Sequence, residues 1–316
     1  MGGEPAVSWT GSPQSGKAGR PMNTGSHRFR VGAFQCVSTS DGTFNYPLDA
    51  FFANVPRERV EEVLLRHHLP TDRITTPYTC LFVDTGQHRV LIDTGAGNLA
   101  AAAPAMFPSV DHTTTVTGTL LGHLEATGIE PATVDTVIIT HAHPDHVGGT
   151  LDESGALVFG NARYVVPRDE WEFWMSEVAT RLAPAPMVDI ARRNLEPMRD
   201  RLSLVDDGAE VVTGIRVIAS PGHTPGHVAL AITSDGEQLL HISDVVLYPL
   251  HLEHPEWVPV FDILPEQAAA SKHRIFDRAA EQHALVFAHH FPPFPNLGHV
   301  RKHGAGWEWQ PIQSAP

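Results

Sequence analysis

The stretch that most limits how this chain can fold is VDTVIIT, residues 134–140, a short apolar run rich in β-branched residues that stops abruptly at HAHPDHVGG. Such a run reads as a buried strand. Its carboxyl end then carries His141, His143, Asp145 and His146, three imidazoles and a carboxylate within six residues. On extended chain leaving a strand, His141 and His143 project to the same side. Pro144 ends the strand and suits the first turn of a helix, which brings Asp145 and His146 round to the same spot. Gly148 and Gly149 let the backbone pass close by without a side-chain clash. A polar solvated loop is the plain alternative, but three independently solvated histidines fit this spacing far less well than two of them on one cation and an Asp/His pair on a second.

The rest of the chain alternates strands and helices in a way that can surround such a turn. Residues 29–38 read as a strand, and TCLFVDTG with HRVLIDTG as a strand pair turning at Thr85-Gly86-Gln87. Val60, Val63 and Leu64 recur at helical spacing within 57–67, and a second helix is expected over 116–128, ending at Gly128. ARYVVP is a strand, RDEWEFWMSEVATRL a helix over 168–182, and another helix spans 187–202. GIRVIASPGHTPGHVALAIT holds two strands around a Gly/Pro turn, and EQLLHISD is a strand ending in Asp244. A helix over 265–283 and the strand ALVFAHH follow. No long linker divides these elements, so residues 28–316 read as one domain, a loose β-rich half followed by another. Residues 1–27 are rich in Gly, Ser and Pro and read as a disordered leader.

Charge narrows the partners. Lys and Arg number 22 against 36 Asp and Glu, a net −14, which repels phosphate backbones and anionic headgroups. A small neutral molecule is the expected partner, with no nucleic acid and no membrane. The amino terminus lacks the apolar core of a signal peptide and no run reaches about 18 apolar residues, so the cytoplasm is the expected location. Cys36 and Cys80 sit in unrelated contexts and read as reduced core thiols.

A metal turn needs further donors, and three other strand ends offer them: His223 and His227 in SPGHTPGH, Asp244 after LLHIS, and His289 and His290 after ALVFA. A carboxylate such as Asp244 can bridge two cations. Donors of nitrogen and oxygen without thiolate suit Zn²⁺ first, and also Mn²⁺, Co²⁺ or Fe²⁺.

HAHPDH together with GHTPGH, the later Asp and the late His resembles the HxHxDH pattern of the metallo-β-lactamase fold superfamily. LIDTGAG resembles the loop that precedes it. FFANVP, LIDTGAG, HPDHVGG, GHTPGH and HFPPFPNLGHV look more narrowly like the methyl parathion hydrolase branch, close to quorum-quenching lactonases. The resemblance implies an α+β, four-layer αββα sandwich. It assigns His141, His143 and His223 to one metal and Asp145, His146 and a late histidine to the second, with Asp244 bridging. The late ligand of that branch precedes an apolar residue and Pro, which matches His290-Phe291-Pro292 rather than His289. Ser243 departs from the branch, where Gly usually precedes the bridging Asp, and PPFP carries an extra Pro. Relatives of the branch are often dimers, so a homodimer is implied.

Two such metals would generate hydroxide from a shared water, with Asp145 placed to take a proton and Asp244 between the ions. The expected reaction is hydrolysis of an ester-like bond, with no GxSxG nucleophile present. A lactone of the acyl-homoserine type or a carboxylic ester leads, and a phosphotriester is the alternative on the same site. True β-lactamase activity is disfavoured by the ligand set. A mononuclear iron sulfur dioxygenase shares the motif and the fold, and counting metals separates it. Around the site, His227 and Asp93 are candidates for orienting ligands, Trp171 and Trp174 for core packing with one bordering the pocket, and Phe107, Tyr248 and His251 are weaker pocket candidates.

Overall fold

In the computed structural model, which describes residues 25–97 and 107–312, the apolar runs pair into two seven-stranded sheets. The first takes β1 (Ser26–Val31), β2 (Phe34–Tyr46), β3 (Ile74–Asp84), β4 (Arg89–Ile92), β5 (Thr136–Ile138), β6 (Arg163–Pro167) and β7 (Leu202–Val205), in chain order. The second takes β8 (Glu210–Val212), β9 (Ile215–Ala219), β10 (Val228–Ser234), β11 (Glu237–Ser243), β12 (Leu285–Ala288), β13 (Leu297–His303) and β14 (Gly306–Pro311). Each half of the chain completes its own sheet. The helices are α1 (Leu48–Phe51), α2 (Arg57–Arg66), α3 (Leu120–Ala126), α4 (Pro144–Val147), α5 (Arg168–Met175), α6 (Ala179–Leu182), α7 (Ala185–Leu195), α8 (Leu250–Glu253) and α9 (Pro265–Glu281).

Strand periodicity explains the layering. Along β3, Leu81 and Val83 face the second sheet and meet Val217, Leu230, Ile232 and Phe287 in the inter-sheet core. Cys80 and Phe82 face the other way, into a core closed by Leu124 of α3, Trp174 of α5 and Val188 and Leu195 of α7. On the far side, Ile275, Phe276 and Ala279 of α9 cover Leu240, Ile242 and Val286. The result is the expected αββα sandwich. The first sheet is parallel from its middle to one edge, β4 to β7, and the second only at its centre, where β11 lies beside β12. Their carboxyl ends open onto one edge of the sandwich.

Several expected elements are shorter or split, each for a local reason. The strand read over 29–38 is a hairpin, β1 and β2, reversing at Gly32 with φ 55°. The helix read over 116–128 shrinks to α3. Its start is fixed by Asp41, whose Oδ1 accepts the Leu120 N–H at 3.0 Å, and Gly118 before it has φ 80°. The helix read over 168–182 breaks after Met175 because the Arg192 guanidinium takes the Trp174 and Ser176 carbonyls, each at 2.8 Å. The helix read over 187–202 leaves α-geometry at Glu196–Arg201, where Pro197 has no N–H to continue it. The hairpin β13–β14 was not anticipated.

Cys36 and Cys80 are both buried free thiols. Of the leader expected over 1–27, residues 1–24 lie outside the described residues, and its end is corrected by β1, where Ser26 and His27 already pair with Thr39 and Ser38 of β2. Among the described residues no helix is long and apolar enough to cross a membrane.

Candidate metal centre

The carboxyl end of β5 runs straight into the histidine turn. His143 is extended, with φ −66° and ψ 155°, and Pro144 opens the single turn α4 that carries Asp145 and His146. The glycines after it are required by close approach. A Cβ on Gly149 would lie 2.1 Å from the Thr94 carbonyl oxygen. The other donors arrive from the second sheet: His223 from the loop between β9 and β10, Asp244 directly after β11, and His289 and His290 directly after β12.

Asp244 stands at the centre of the cluster. Its Oδ2 lies 3.3 Å from His223 Nε2, 3.2 Å from His290 Nε2 and 3.8 Å from His141 Nε2, while its Oδ1 lies 3.3 Å from His146 Nε2. His290 Nε2 is also 3.3 Å from Asp145 Oδ2, and His143 Nδ1 is 2.8 Å from His223 Nε2. Donor atoms of His141, His143 and His223 fall within 4.8 Å of one another, and so do those of Asp145, His146, His289 and His290. The seven residues expected at the site therefore meet.

Whether this donor set fits cations can be judged from what it leaves unpaired. His141 Nε2, His143 Nε2, His146 Nε2 and Asp244 Oδ1 are buried without a hydrogen-bond partner. Buried polar atoms are normally paired, and three of these, His141 Nε2, His146 Nε2 and Asp244 Oδ1, face one another across the cluster, which fits bound cations. Burial alone would raise the Asp145 and Asp244 carboxyls. The surrounding rings, His146 and His290 foremost, outweigh it and hold both below the usual carboxylate range, in the anionic form that binds metal.

Residue 289 is the expected alternative to residue 290, and the two rings are disposed differently. His290 aims Nε2 at both carboxylates and its Nδ1 donates to the Pro77 carbonyl at 3.2 Å. His289 stacks on the face of His146 at 4.0 Å, and both its ring nitrogens are buried without a partner.

A second ring of residues fixes the first. Asp93, held at φ 58°, accepts from His146 Nδ1 at 2.8 Å and from the Thr140 N–H at 2.8 Å. This leaves His146 Nε2 free to face the cluster. Ser243, the departure from the branch pattern, also sits in the left-handed region, at φ 46°, which is why glycine is the usual occupant. Its hydroxyl pairs with Thr140 Oγ1 at 2.7 Å. His227 holds the bridging segment, since its Nε2 accepts the Asp244 N–H at 3.1 Å and its Nδ1 donates to Ser220. That acceptor role requires a neutral ring. Burial, reinforced by His223, pushes His227 down to about 3.

The fold and this site together decide the family. Residues 74–303 match the metallo-beta-lactamase superfamily. The chain belongs to it. Relatives include an N-acyl homoserine lactonase from Bacillus sp, 27% identical over 229 residues, which cover 70% of this chain and 84% of the relative. The N-acyl homoserine lactonase AiiA of Bacillus thuringiensis subsp. kurstaki is likewise 27% identical, over 233 residues, with the same shares covered. Among solved structures, the dizinc quorum-quenching lactonase AidC superposes with a TM-score of 0.83 at 24% identity, covering 92% of this chain and 99% of that one. The hydrolase AbOPH of the beta lactamase superfamily gives 0.81 at 27% identity, with the same coverage.

In this metallo-beta-lactamase superfamily member, two positioning carboxylates went unread in the sequence. Asp262 accepts from His223 Nδ1 at 2.9 Å. Glu170 is fully buried and accepts the Ala142 N–H at 2.8 Å, Trp174 Nε1 at 2.6 Å, Thr224 Oγ1 at 2.5 Å and the Gly226 N–H at 3.1 Å. It therefore ties the histidine turn to the loop bearing His223. The available signal was the acid that opens EWEFW, one turn before Trp174.

Of those tryptophans, Trp174 stands edge-on to His143 at 5.9 Å, while Trp171 lies under Arg199. The pocket above the donors is lined by Phe44, Tyr46, Phe51, Phe107, Leu247 and Phe261, with Met187 at its side. Tyr248 and His251 stand behind this wall, against Phe51.

Proposed function

We propose that this chain is a dinuclear-metal hydrolase that opens a small neutral lactone or carboxylic ester, with N-acyl homoserine lactones as the leading substrate class. The observation that carries the reading is the buried donor cluster centred on Asp244, at the floor of an apolar pocket. His141, His143 and His223 would hold one ion, Asp145, His146 and His290 the other, and Asp244 would bridge. Zinc is the metal of choice, in line with nitrogen and oxygen donors and a dizinc lactonase among the similar structures. When bound, the ions supply the Lewis acidity that activates water and polarises a carbonyl at neutral pH.

The chain's own residues do the rest. Asp145 faces the pocket, so its carboxylate is placed to accept a proton from the attacking water. Asp93, Asp262 and Glu170 keep three imidazole-bearing segments in place without a ligand's help. Phe44, Phe51, Phe107 and Phe261 offer no charge to a substrate, so they suit an acyl chain and exclude water from it. The same aromatic wall suits the aryl group of a phosphotriester, which is the second reading.

Purified protein of known metal content, assayed against N-acyl homoserine lactones, aryl esters and phosphotriesters, tests the proposal. Lactones or simple esters should give the highest kcat/KM. Inert lactones and esters beside rapid phosphotriester turnover would replace the leading reading with the second.

A further inference from the structure

The pocket contains one polar side chain that the metal cluster does not use. Among the described residues that line it, His143, Asp145, His223, Asp244 and His290 belong to the cluster, and every other side chain is apolar except Tyr46. Its ring is wedged between Phe44 at 4.7 Å and Phe51 at 4.9 Å, so it has little freedom to turn away. Its hydroxyl is hydrogen-bonded to that of Tyr78, a residue of β3 whose ring stands edge-on to His290 at 5.3 Å.

Hydrogen counting shows what this pair leaves over. Two hydroxyls bring two hydrogens, and one bond between them consumes one. Neither oxygen has a further partner among the described residues. If Tyr78 donates to Tyr46, the spare hydrogen sits on the ring that lines the pocket. Of the two rings only Tyr46 lines it.

We propose that Tyr46 is a catalytic residue, whose hydroxyl, oriented by Tyr78, donates a hydrogen bond to the leaving oxygen of the substrate. The inference rests on the hydrolase reading above. When an ester or lactone C–O bond breaks, the acyl carbon keeps the oxygen of water, and the departing oxygen takes the bonding pair and then the proton that water passed to Asp145. That oxygen is strongly basic when it is an alkoxide and weakly basic when it is a nitrophenoxide. A donor fixed in an apolar wall stabilises developing charge more than a water molecule would, because it does not have to reorient. The benefit is therefore specific to poor leaving groups, which a purely structural tyrosine would not distinguish.

The test uses the metal-loaded enzyme and its Tyr46→Phe variant, checked for unchanged melting temperature and metal content, on substrates sharing one acyl group. The variant should lose about 100-fold in kcat/KM on a lactone or alkyl ester and less than about 3-fold on the nitrophenyl ester. Equal losses across leaving groups, or no loss, overturn the proposal. Should Tyr46→Phe fail to fold, Tyr78→Phe must show the same leaving-group dependence at about 10-fold, and a uniform effect again overturns it. A wild-type enzyme that cleaves neither lactones nor esters sinks the lactone and ester reading and this inference together. Turnover with a uniform loss sinks this inference alone.

Discussion

Glu170 carries more of the site's geometry than any residue outside the ligand cluster. It contacts no proposed ligand side chain, yet its two oxygens hold the backbone beside His141 and the loop beside His223. Replacing it with Gln keeps the size but turns an amide NH₂ toward N–H donors, so the two loops separate. Glu170→Gln should weaken the His141/His143/His223 site by about 10- to 100-fold in metal affinity and spare the other site. Asp93→Asn, acting through His146, should do the reverse. Stepwise metal titration followed by elemental analysis reads both, and equal weakening at the two sites in either variant would contradict this division of labour. Two buried histidines outside the ligand set add to stability against acid. Burial pushes His251 down to about 3 and His241 to about 4, against 6.5 when exposed. Between those values the unfolded chain binds protons that the folded chain refuses. Stability should therefore rise with pH from about 4 to 6.5, by up to about 1.4 kcal/mol per pH unit for each ring, and level off above. Denaturant unfolding of metal-free protein across that range measures the slope. His251→Gln, which can still donate to the Phe51 carbonyl, should flatten it.

At the scale of elements, the strands that end in donors were the easiest to read, because a β-branched run and a polar terminus coincide. The strand read over 237–244 matches β11, Glu237–Ser243, closely, whereas that read over 134–140 shortens to β5, Thr136–Ile138. Helix ends were read less well because side chains far away in the sequence set them. Asp41 fixes the start of α3 and Arg192 the end of α5, and neither partner is visible in a local window. The same holds for the positioning carboxylates: Asp93 follows a recognisable loop, while Glu170 and Asp262 act across 28 and 39 residues of sequence. The hairpin β13–β14 hid behind the charged LGHVRKH. Only its alternate face, with Val300, Trp307 and Trp309, is buried against α9 and β12. Trp307 is fully buried, 5.8 Å from Phe276 and beneath the Lys302 ammonium at 4.2 Å. Trp307→Ala should cost about 3–5 kcal/mol in denaturant unfolding. A cost below about 1 kcal/mol would mean that the hairpin contributes little to the second half of the molecule.

Taken whole, the molecule is two sheets, each built by one half of the chain, whose strand ends are drawn to a shared edge. The first half brings His141, His143, Asp145 and His146, and the second brings His223, Asp244 and His290. Neither half holds a complete donor set, so bound ions would fasten the two sheets together at that edge. Each ion present at 100 times its Kd would add about 2.7 kcal/mol to folding stability. Chelation should accordingly lower the melting temperature as well as abolish turnover, and readdition of metal should restore both. The most direct measurement is the metal-to-protein ratio of the purified chain by elemental analysis. Two divalent ions per chain, falling to one or fewer in Asp244→Asn, is the result expected of a bridged pair. A single iron per chain, or full occupancy in that variant, would contradict it.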